Sequence, residues 1–420
     1  MRERILVILT ESFPYGNSEV FLYQEVLILS KKFDKVCIVT NNASAEKHTY
    51  DLPQNVSVVR QSGPLSFLDK FFSFFCFFNK IIRDEITLIK KDYNLKITFL
   101  RIKILLFSFV RGKRKMKLLR DLLAKYTTEE KYVYSYWFND SAIAIALLKK
   151  SGYDMHAFCR MHGWDIYFER ANGCYLPLRR FTYDNLDRIF SVSANGNKYL
   201  ADKLHLPVEN KIETMYLGSE KPEVGIQKTE DSAIVIVSVS SIVPLKRVET
   251  IIKVLSLIED VKIEWYHFGD GINEESGKIR QYAADQLTRK ANIKYFFKGF
   301  VSKLELFEFY SSHNVRFFMN TSEYEGIPVS VMEAMSYRIP CVCSDVGGVS
   351  EIVQHNVNGY LFESHSSPEE IKGLVLSMIN LPDQRYSEMK RSAFTIWETR
   401  FNSEMNYERF SRSLLSFREL

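Results

Sequence analysis

Residues 322 to 336 read Ser-Glu-Tyr-Glu-Gly-Ile-Pro-Val-Ser-Val-Met-Glu-Ala-Met-Ser. They follow a strand-like apolar run at 315–319 and set a Gly-Ile-Pro turn ahead of a helix-period segment, the strand-turn-helix unit of parallel sheets. Pro328 suits the first helical position, where its missing N–H is no loss, and the amides of Val329, Ser330 and Val331 then point out of the helix start. Such an end attracts phosphate. Glu325 precedes the turn and Glu333 follows it, with a helical rise of roughly 7–8 Å between Pro328 and Glu333. The spacing sets one acid on each side of a bound pyrophosphate, the layout of a sugar linked to a nucleoside diphosphate. The plain alternative is an acid-rich helix start favoured by the macrodipole.

Working outward, residues 338–345 read as a short buried strand, 346–353 as a glycine turn into another helix, and 358–362 as a turn and strand. In this order, Ser322 to Phe362 resembles the donor-binding signature of family 4 glycosyltransferases, whose E-x7-E pair is matched by Glu325 and Glu333. The resemblance implies that Glu325 contacts hydroxyls of the donor sugar, that Glu333 holds the nucleotide ribose, and that amides near Gly326 and Ile327 approach the sugar and diphosphate. It also implies the two-lobed GT-B fold.

At 420 residues the chain exceeds one ordinary core and suits two domains of about 200 residues each, with a cleft between them. Hydrophobic residues at 46% and charged residues at 25% belong to a globular protein able to bury sizeable cores. No apolar stretch reaches the roughly 18 residues of a membrane span, and MRERILVILTESFP runs from a basic pair into a strand without a signal-peptide cleavage pattern, so a cytoplasmic protein is expected. Cys37, Cys76, Cys159, Cys174, Cys341 and Cys343 show no C-x-x-C pair and no metal-ligand spacing; they read as reduced core residues.

The formal charge of +5 is unevenly spread: residues 61–126 hold 15 Lys plus Arg against 5 Asp plus Glu, a local +10. The same segment carries the aromatic run 71–78 and the apolar run 104–110, each of which covers only about 10–12 Å as helix. Greasy runs flanked by cations suit a helix pair lying on an anionic membrane surface; the alternative is a buried helical hairpin with a solvated basic rim. No nucleic-acid motif accompanies the charge.

Strand-like runs at 4–9, 35–40, 56–59, 132–136, 157–161 and 188–193 alternate with helical stretches such as 18–32, and the rhythm returns at 234–239, 262–268, 293–297, 315–319, 339–344 and 360–362. The fold class is therefore α/β, with two doubly wound Rossmann-like domains facing a cleft. The first spans 1–218 with the basic aromatic insertion 61–126. A polar linker at 219–231, SEKPEVGIQKTED, leads to the second domain at 232–390. The resemblance implies that the tail, 391–420, returns as a helix to the first domain.

Ligands of such sheets lie beyond the C-terminal strand ends, so the loops there supply the other candidates. After the first strand, Gly16 lets backbone approach a ligand, before a helix from about Ser18. After 157–161 comes His162-Gly163-Trp164-Asp165, which resembles the family's cleft histidine loop and implies a contact of His162 with the donor sugar; Asp165 reads as a helix cap. After 234–239, Lys246 and Arg247 stand at a helix opening, where cations oppose the dipole and need an anion. Lys246 matches the family's phosphate-binding lysine; the arginine usual five positions earlier is Ser241 here, and Arg247 is the candidate to replace it. The resemblance places Gly269 in the nucleotide pocket, has backbone near Phe300 and Val301 read the base, and puts Pro328 and Val329 at the diphosphate.

No D-x-D occurs, so no metal and no cofactor are expected, and protein groups must meet the charge of the departing diphosphate. Family resemblance implies hexosyl transfer with retained anomeric configuration and no protein nucleophile. The expected partners are a nucleotide-sugar donor, a polyprenyl-diphosphate-linked or saccharide acceptor of surface polysaccharide assembly (capsule, O-antigen or exopolysaccharide), and the inner face of the cytoplasmic membrane. The rivals are a sugar-nucleotide epimerase of the same fold and a non-catalytic partner of a glycosyltransferase complex.

Overall fold

The computed structural model describes residues 2–16, 19–41, 50–61, 63–207, 211–222, 233–271 and 274–416. The chain divides into two compact units, unit 1 made of Met1–Met215 with Tyr407–Leu420, and unit 2 of Tyr216–Asn406.

Unit 1 holds seven parallel strands, β1 (Arg4–Thr10), β2 (Lys35–Thr40), β3 (Val56–Arg60), β4 (Glu130–Ser135), β5 (His156–Met161), β6 (Arg188–Ser191) and β7 (Ile212–Thr214), in the order β3-β2-β1-β4-β5-β6-β7. Strands covered on both faces need apolar side chains at successive positions, which is what Ile5 to Leu9 supply. Alternation then sends Ile5, Val7 and Leu9 to one layer, with Leu105, Phe109 and Ile143, and Leu6 and Ile8 to the other, with Leu22, Val26, Phe410 and Leu414. β7 lay below what periodicity reveals, being three residues long.

Unit 2 holds β8 (Ile234–Val239), β9 (Ile263–Phe268), β10 (Ile293–Gly299), β11 (Val315–Asn320), β12 (Cys341–Ser344) and β13 (Gly359–Phe362), parallel and ordered β10-β9-β8-β11-β12-β13. In each sheet the order reverses once, between β1 and β4 and between β8 and β11. At such a reversal the flanking loops diverge and leave room for a ligand.

Several expectations are corrected. Ser219, placed in the linker by composition, is fully buried: Trp397 Nε1 donates to its hydroxyl at 2.7 Å, and its backbone exchanges hydrogen bonds with Phe401 and Ser403. Gly218 permits this approach, since a Cβ there would meet the Ser403 nitrogen at 2.5 Å. Residues 223–231 of that expected linker lie outside the described residues. The two greasy runs part company. The helix Phe99–Leu123 buries Leu105, Leu106 and Phe109 and packs so closely on the helix Asp140–Lys150 that a Cβ at Gly112 would stand 2.7 Å from Ile143. The run at 71–78 instead leaves Phe71, Phe74, Phe75 and Phe78 exposed. Cys174 is exposed too, unlike buried Cys37, Cys159, Cys341 and Cys343. Among the described residues no helix is long and apolar enough to cross a membrane.

Candidate active site

The loops after β8 and β11, neighbours at the reversal in unit 2, are tied together. After β8 the chain makes a tight turn over Pro244–Lys246, Arg247 takes a left-handed conformation (φ 48°), and the helix Val248–Ser256 begins. After β11, Thr321 Oγ1 donates to the carbonyls of Lys246 and Arg247 at 3.1 and 2.9 Å, and the Glu323 amide donates to Leu245 at 2.9 Å. Lys246 Nζ reaches Glu325 Oε1 at 2.6 Å, and Asn320 Nδ2 donates to the same oxygen at 3.3 Å. Two residues expected to serve different parts of a donor are thus one ion pair. Arg247 turns its guanidinium onto the Ser364 carbonyl.

The Glu325 loop is also gripped from its far side. Gly347 (φ +55°) lies so close that a Cβ would sit 1.8 Å from the Glu325 carbonyl oxygen, and the Gly348 amide donates to Gly326 at 3.0 Å. Ser344 Oγ donates to the Ser322 carbonyl at 2.6 Å. Ile327 and Val329 are buried, and the helix Val329–Ser336 starts one residue later than the proline rule predicts: Pro328 is its N-cap, and its carbonyl accepts from Val331 at 3.2 Å. Carbonyl acceptance at that point suits the cap, so the amides of Val329 and Ser330, not Val331, are left for a ligand.

Glu333 lies half-buried on this helix and its carboxyl makes no hydrogen bond or ion pair among the described residues. Burial pushes it up to about 7; Lys303 opposes the shift and Glu220 reinforces it. A desolvated acid without a partner is costly unless a ligand supplies hydroxyl donors.

Gly269 (φ +106°) follows β9 with its would-be Cβ 2.1 Å from the Ser240 carbonyl oxygen, which ties the β9 loop to the β8 loop. Phe300 and Val301 follow β10, Phe300 well exposed. The structure therefore places Lys246, Arg247, Gly269, Phe300, Val301, Glu325, Gly326, Ile327, Pro328, Val329 and Glu333 on strand-end loops and one helix of unit 2, with direct contact shown for Lys246 and Glu325.

Gly16 and His162 belong to unit 1. Gly16 is exposed in left-handed conformation (φ +67°) at the end of a loop organised by buried Glu19, whose carboxylate accepts from the amides of Glu11, Ser12 and Phe13 at 3.0, 2.6 and 2.6 Å and from Trp137 Nε1. The helix after it runs Phe21–Ser30, later than expected; Ser18 lies outside the described residues. His162 is buried between Trp137 and Tyr136, ring centroids 4.3 and 4.8 Å away, and neither ring nitrogen has a hydrogen-bond partner among the described residues. Desolvation, and then the charge of Arg160, hold its pKa well below the usual range, so it is neutral. Asp165 caps the turn, accepting from the amides of His162 at 2.6 Å and Phe138 at 2.8 Å; burial pushes its carboxyl up to about 7.

Sequence reasoning missed Glu19, Asn320 and Thr321, whose role of fastening loops leaves no local pattern. It also missed a cavity of about 300 Å³ in unit 1 lined by Glu11, Asn41, Gln61, Arg111, Lys115 and Asp140. Glu11 lies in the loop after β1, and Asn139, in the loop after β4, donates to it at 2.6 Å, so the cavity adjoins the reversal of the first sheet.

Residues 221–394 match the family model of glycosyl transferases group 1. The matched segment lies within unit 2, which is thus similar to that family. Among curated proteins, the chain is 24% identical over 214 residues to a poly(ribitol-phosphate) α-N-acetylglucosaminyltransferase of Staphylococcus aureus, covering 50% of this chain and 40% of that protein. The chain spans at most about half the length of the curated relatives it matches. Among solved structures, a glycosyltransferase of Rickettsia africae superposes with TM-score 0.70 at 11% identity, over 99% of both chains. Anabaena HepE in complex with UDP and glucose superposes with TM-score 0.65 at 16% identity, over 98% of this chain and 99% of that one. These likenesses show the GT-B fold of two Rossmann-like units.

Proposed function

We propose that this chain is a retaining hexosyltransferase that moves a sugar from a nucleoside-diphosphate sugar to a lipid-linked or saccharide acceptor in surface polysaccharide synthesis, working at the inner face of the cytoplasmic membrane. One observation carries the reading: Glu333, its carboxyl desolvated and without a hydrogen bond among the described residues, stands about one turn inside a helix whose Val329 and Ser330 amides await an anion. Ribose hydroxyls satisfy the carboxylate and the diphosphate satisfies the amides. The relatives' transferase names and a fold-mate with UDP and glucose bound support it.

On donor binding, Lys246 exchanges Glu325 for a phosphate oxygen, which frees Glu325 to accept from sugar hydroxyls. As the anomeric C–O bond breaks, Lys246, Arg247 and the helix-start amides stabilise the charge growing on the leaving phosphate. The acceptor oxygen bonds to the same face of the anomeric carbon, and its proton passes to the leaving diphosphate, so atoms and charge balance without a protein nucleophile or a metal ion. Neutral His162, both ring nitrogens without a hydrogen bond among the described residues, positions a sugar hydroxyl, and Gly16 lets its loop approach the substrates. Gly269 lines the nucleotide pocket, and backbone at Phe300 and Val301 reads the base. The cavity beside Glu11 mixes carboxylates, amides and cations, a lining suited to hydroxyl-rich acceptor groups.

A thermal-shift screen of UDP-, GDP- and ADP-sugars identifies the donor. With that donor and a membrane-extracted acceptor, Lys246→Ala and Glu333→Ala are expected to keep their circular dichroism and lose transfer roughly 100-fold or more. Unchanged turnover in either overturns the assignment. A new sugar isomer formed from donor alone would instead mark an epimerase.

A further inference from the structure

Six large apolar side chains of unit 1 stand in solvent within twelve residues: Phe67 (80% exposed), Leu68, Phe71, Phe74 (65%), Phe75 and Phe78 (78%). They are presented, not loose. The helix Phe67–Phe72 is capped by Ser66, whose amide donates to Asp69 at 2.9 Å, and the turn Ser73–Phe78 that follows is anchored by buried Ser73 and by Cys76 and Phe77, which pack on the core. Asp69 is the sole acid of residues 61–83, and it is occupied by Ser66 and, at 3.3 Å, by Arg114. Lys70 and Lys80 are exposed within the segment, and Lys113 and Lys117 on the helix Phe99–Leu123 that packs beside it. An aromatic face rimmed by lysines that make no ion pair among the described residues fits an acyl boundary beneath anionic headgroups. A protein partner fits less well, because lysine is depleted where proteins bury aromatic contacts against each other.

We propose that residues 67–78 dock the protein on an anionic lipid surface, with Phe67, Phe71, Phe74, Phe75 and Phe78 in the acyl boundary and Lys70, Lys80, Lys113 and Lys117 among the headgroup phosphates. The run at 104–110, also apolar, takes no part because Leu105, Leu106 and Phe109 are core. The docking stands on this surface; its purpose, bringing unit 1 to an acceptor held in lipid, rests on the transferase reading above.

The test floats the full chain with phosphatidylcholine vesicles, with and without phosphatidylglycerol. The parent is expected to float with the anionic vesicles and to release in salt. Phe74→Glu with Phe75→Glu lowers partition at least about tenfold. Lys113→Glu with Lys117→Glu abolishes the anionic preference, whereas Leu304→Glu, at an exposed apolar position of unit 2, floats like the parent. Docking is overturned if the parent stays in solution or the phenylalanine variant floats equally well. It is also overturned if sedimentation shows a dimer that this variant splits with no vesicle binding, which would assign the face to a second copy. Donor thermal shifts on the same proteins separate the two claims. A normal shift without flotation sinks docking alone; flotation without any sugar-nucleotide shift sinks the transferase reading alone.

Discussion

At the scale of single residues, the telling fact is that charges expected to await a ligand fall into two kinds. Lys246 and Glu325 hold each other, so each is kept in place, and under the proposed function a donor must compete for the lysine. Among the described residues the Glu333 carboxyl has no hydrogen-bond or ion-pair partner, and its raised pKa turns that isolation into a pH signature. With a folded value of about 7 against an ordinary 4.5, the folded state binds the proton more tightly. The group's contribution to stability is thus full below pH 4.5 and lost as pH rises through 7. Glu333→Gln is therefore expected to unfold later than the parent above pH 7, by on the order of 1–3 kcal/mol, while donor affinity falls. Urea melts across pH with donor titrations check both; a loss of stability at high pH would show that the carboxylate is tied into the fold. That both glutamates are candidates was legible from their spacing. Their unequal partnership was not, because Lys246 lies 79 positions from Glu325.

At the scale of elements, the strand rhythm was readable because strands buried on both faces must be apolar nearly throughout, and their bounds fell within a few residues of the structure. The glycine turn at 347–348 was legible as a turn but not as the clamp behind Glu325, since close approach is a property of two loops. Gly347→Ala puts a Cβ into the Glu325 carbonyl and a side chain at φ +55°. It is expected to cost about 1–3 kcal/mol in a denaturant melt and to weaken donor binding along with Glu325→Ala. Donor affinity equal to the parent's would dissociate the clamp from the site.

At the scale of the whole molecule, unit 1 is built from both ends of the chain. Arg160 and Glu25, buried and paired in the layer between β-sheet and helices, lie under Phe410 of the tail, with the guanidinium 4.1 Å from its ring. Buried ion pairs are strongly destabilised when their surroundings open, so Phe410→Ala is expected to destabilise unit 1 by about 3–5 kcal/mol. Hydrogen exchange at β1 and β4 reads this directly; unchanged protection there would show that the tail only decorates the unit. By itself the sequence determined two parallel α/β units, the loops that carry the candidate site, and the acids eight positions apart, because periodicity, turn residues and helix starts are local matters. Only the tertiary structure decided which charges meet and which of two equally greasy runs is core. Leu105, Leu106 and Phe109 are buried where the helix Asp140–Lys150 packs against Gly112, whereas Phe71, Phe74, Phe75 and Phe78 stand in solvent; both runs are strongly apolar, and what packs against each is set by distant chain.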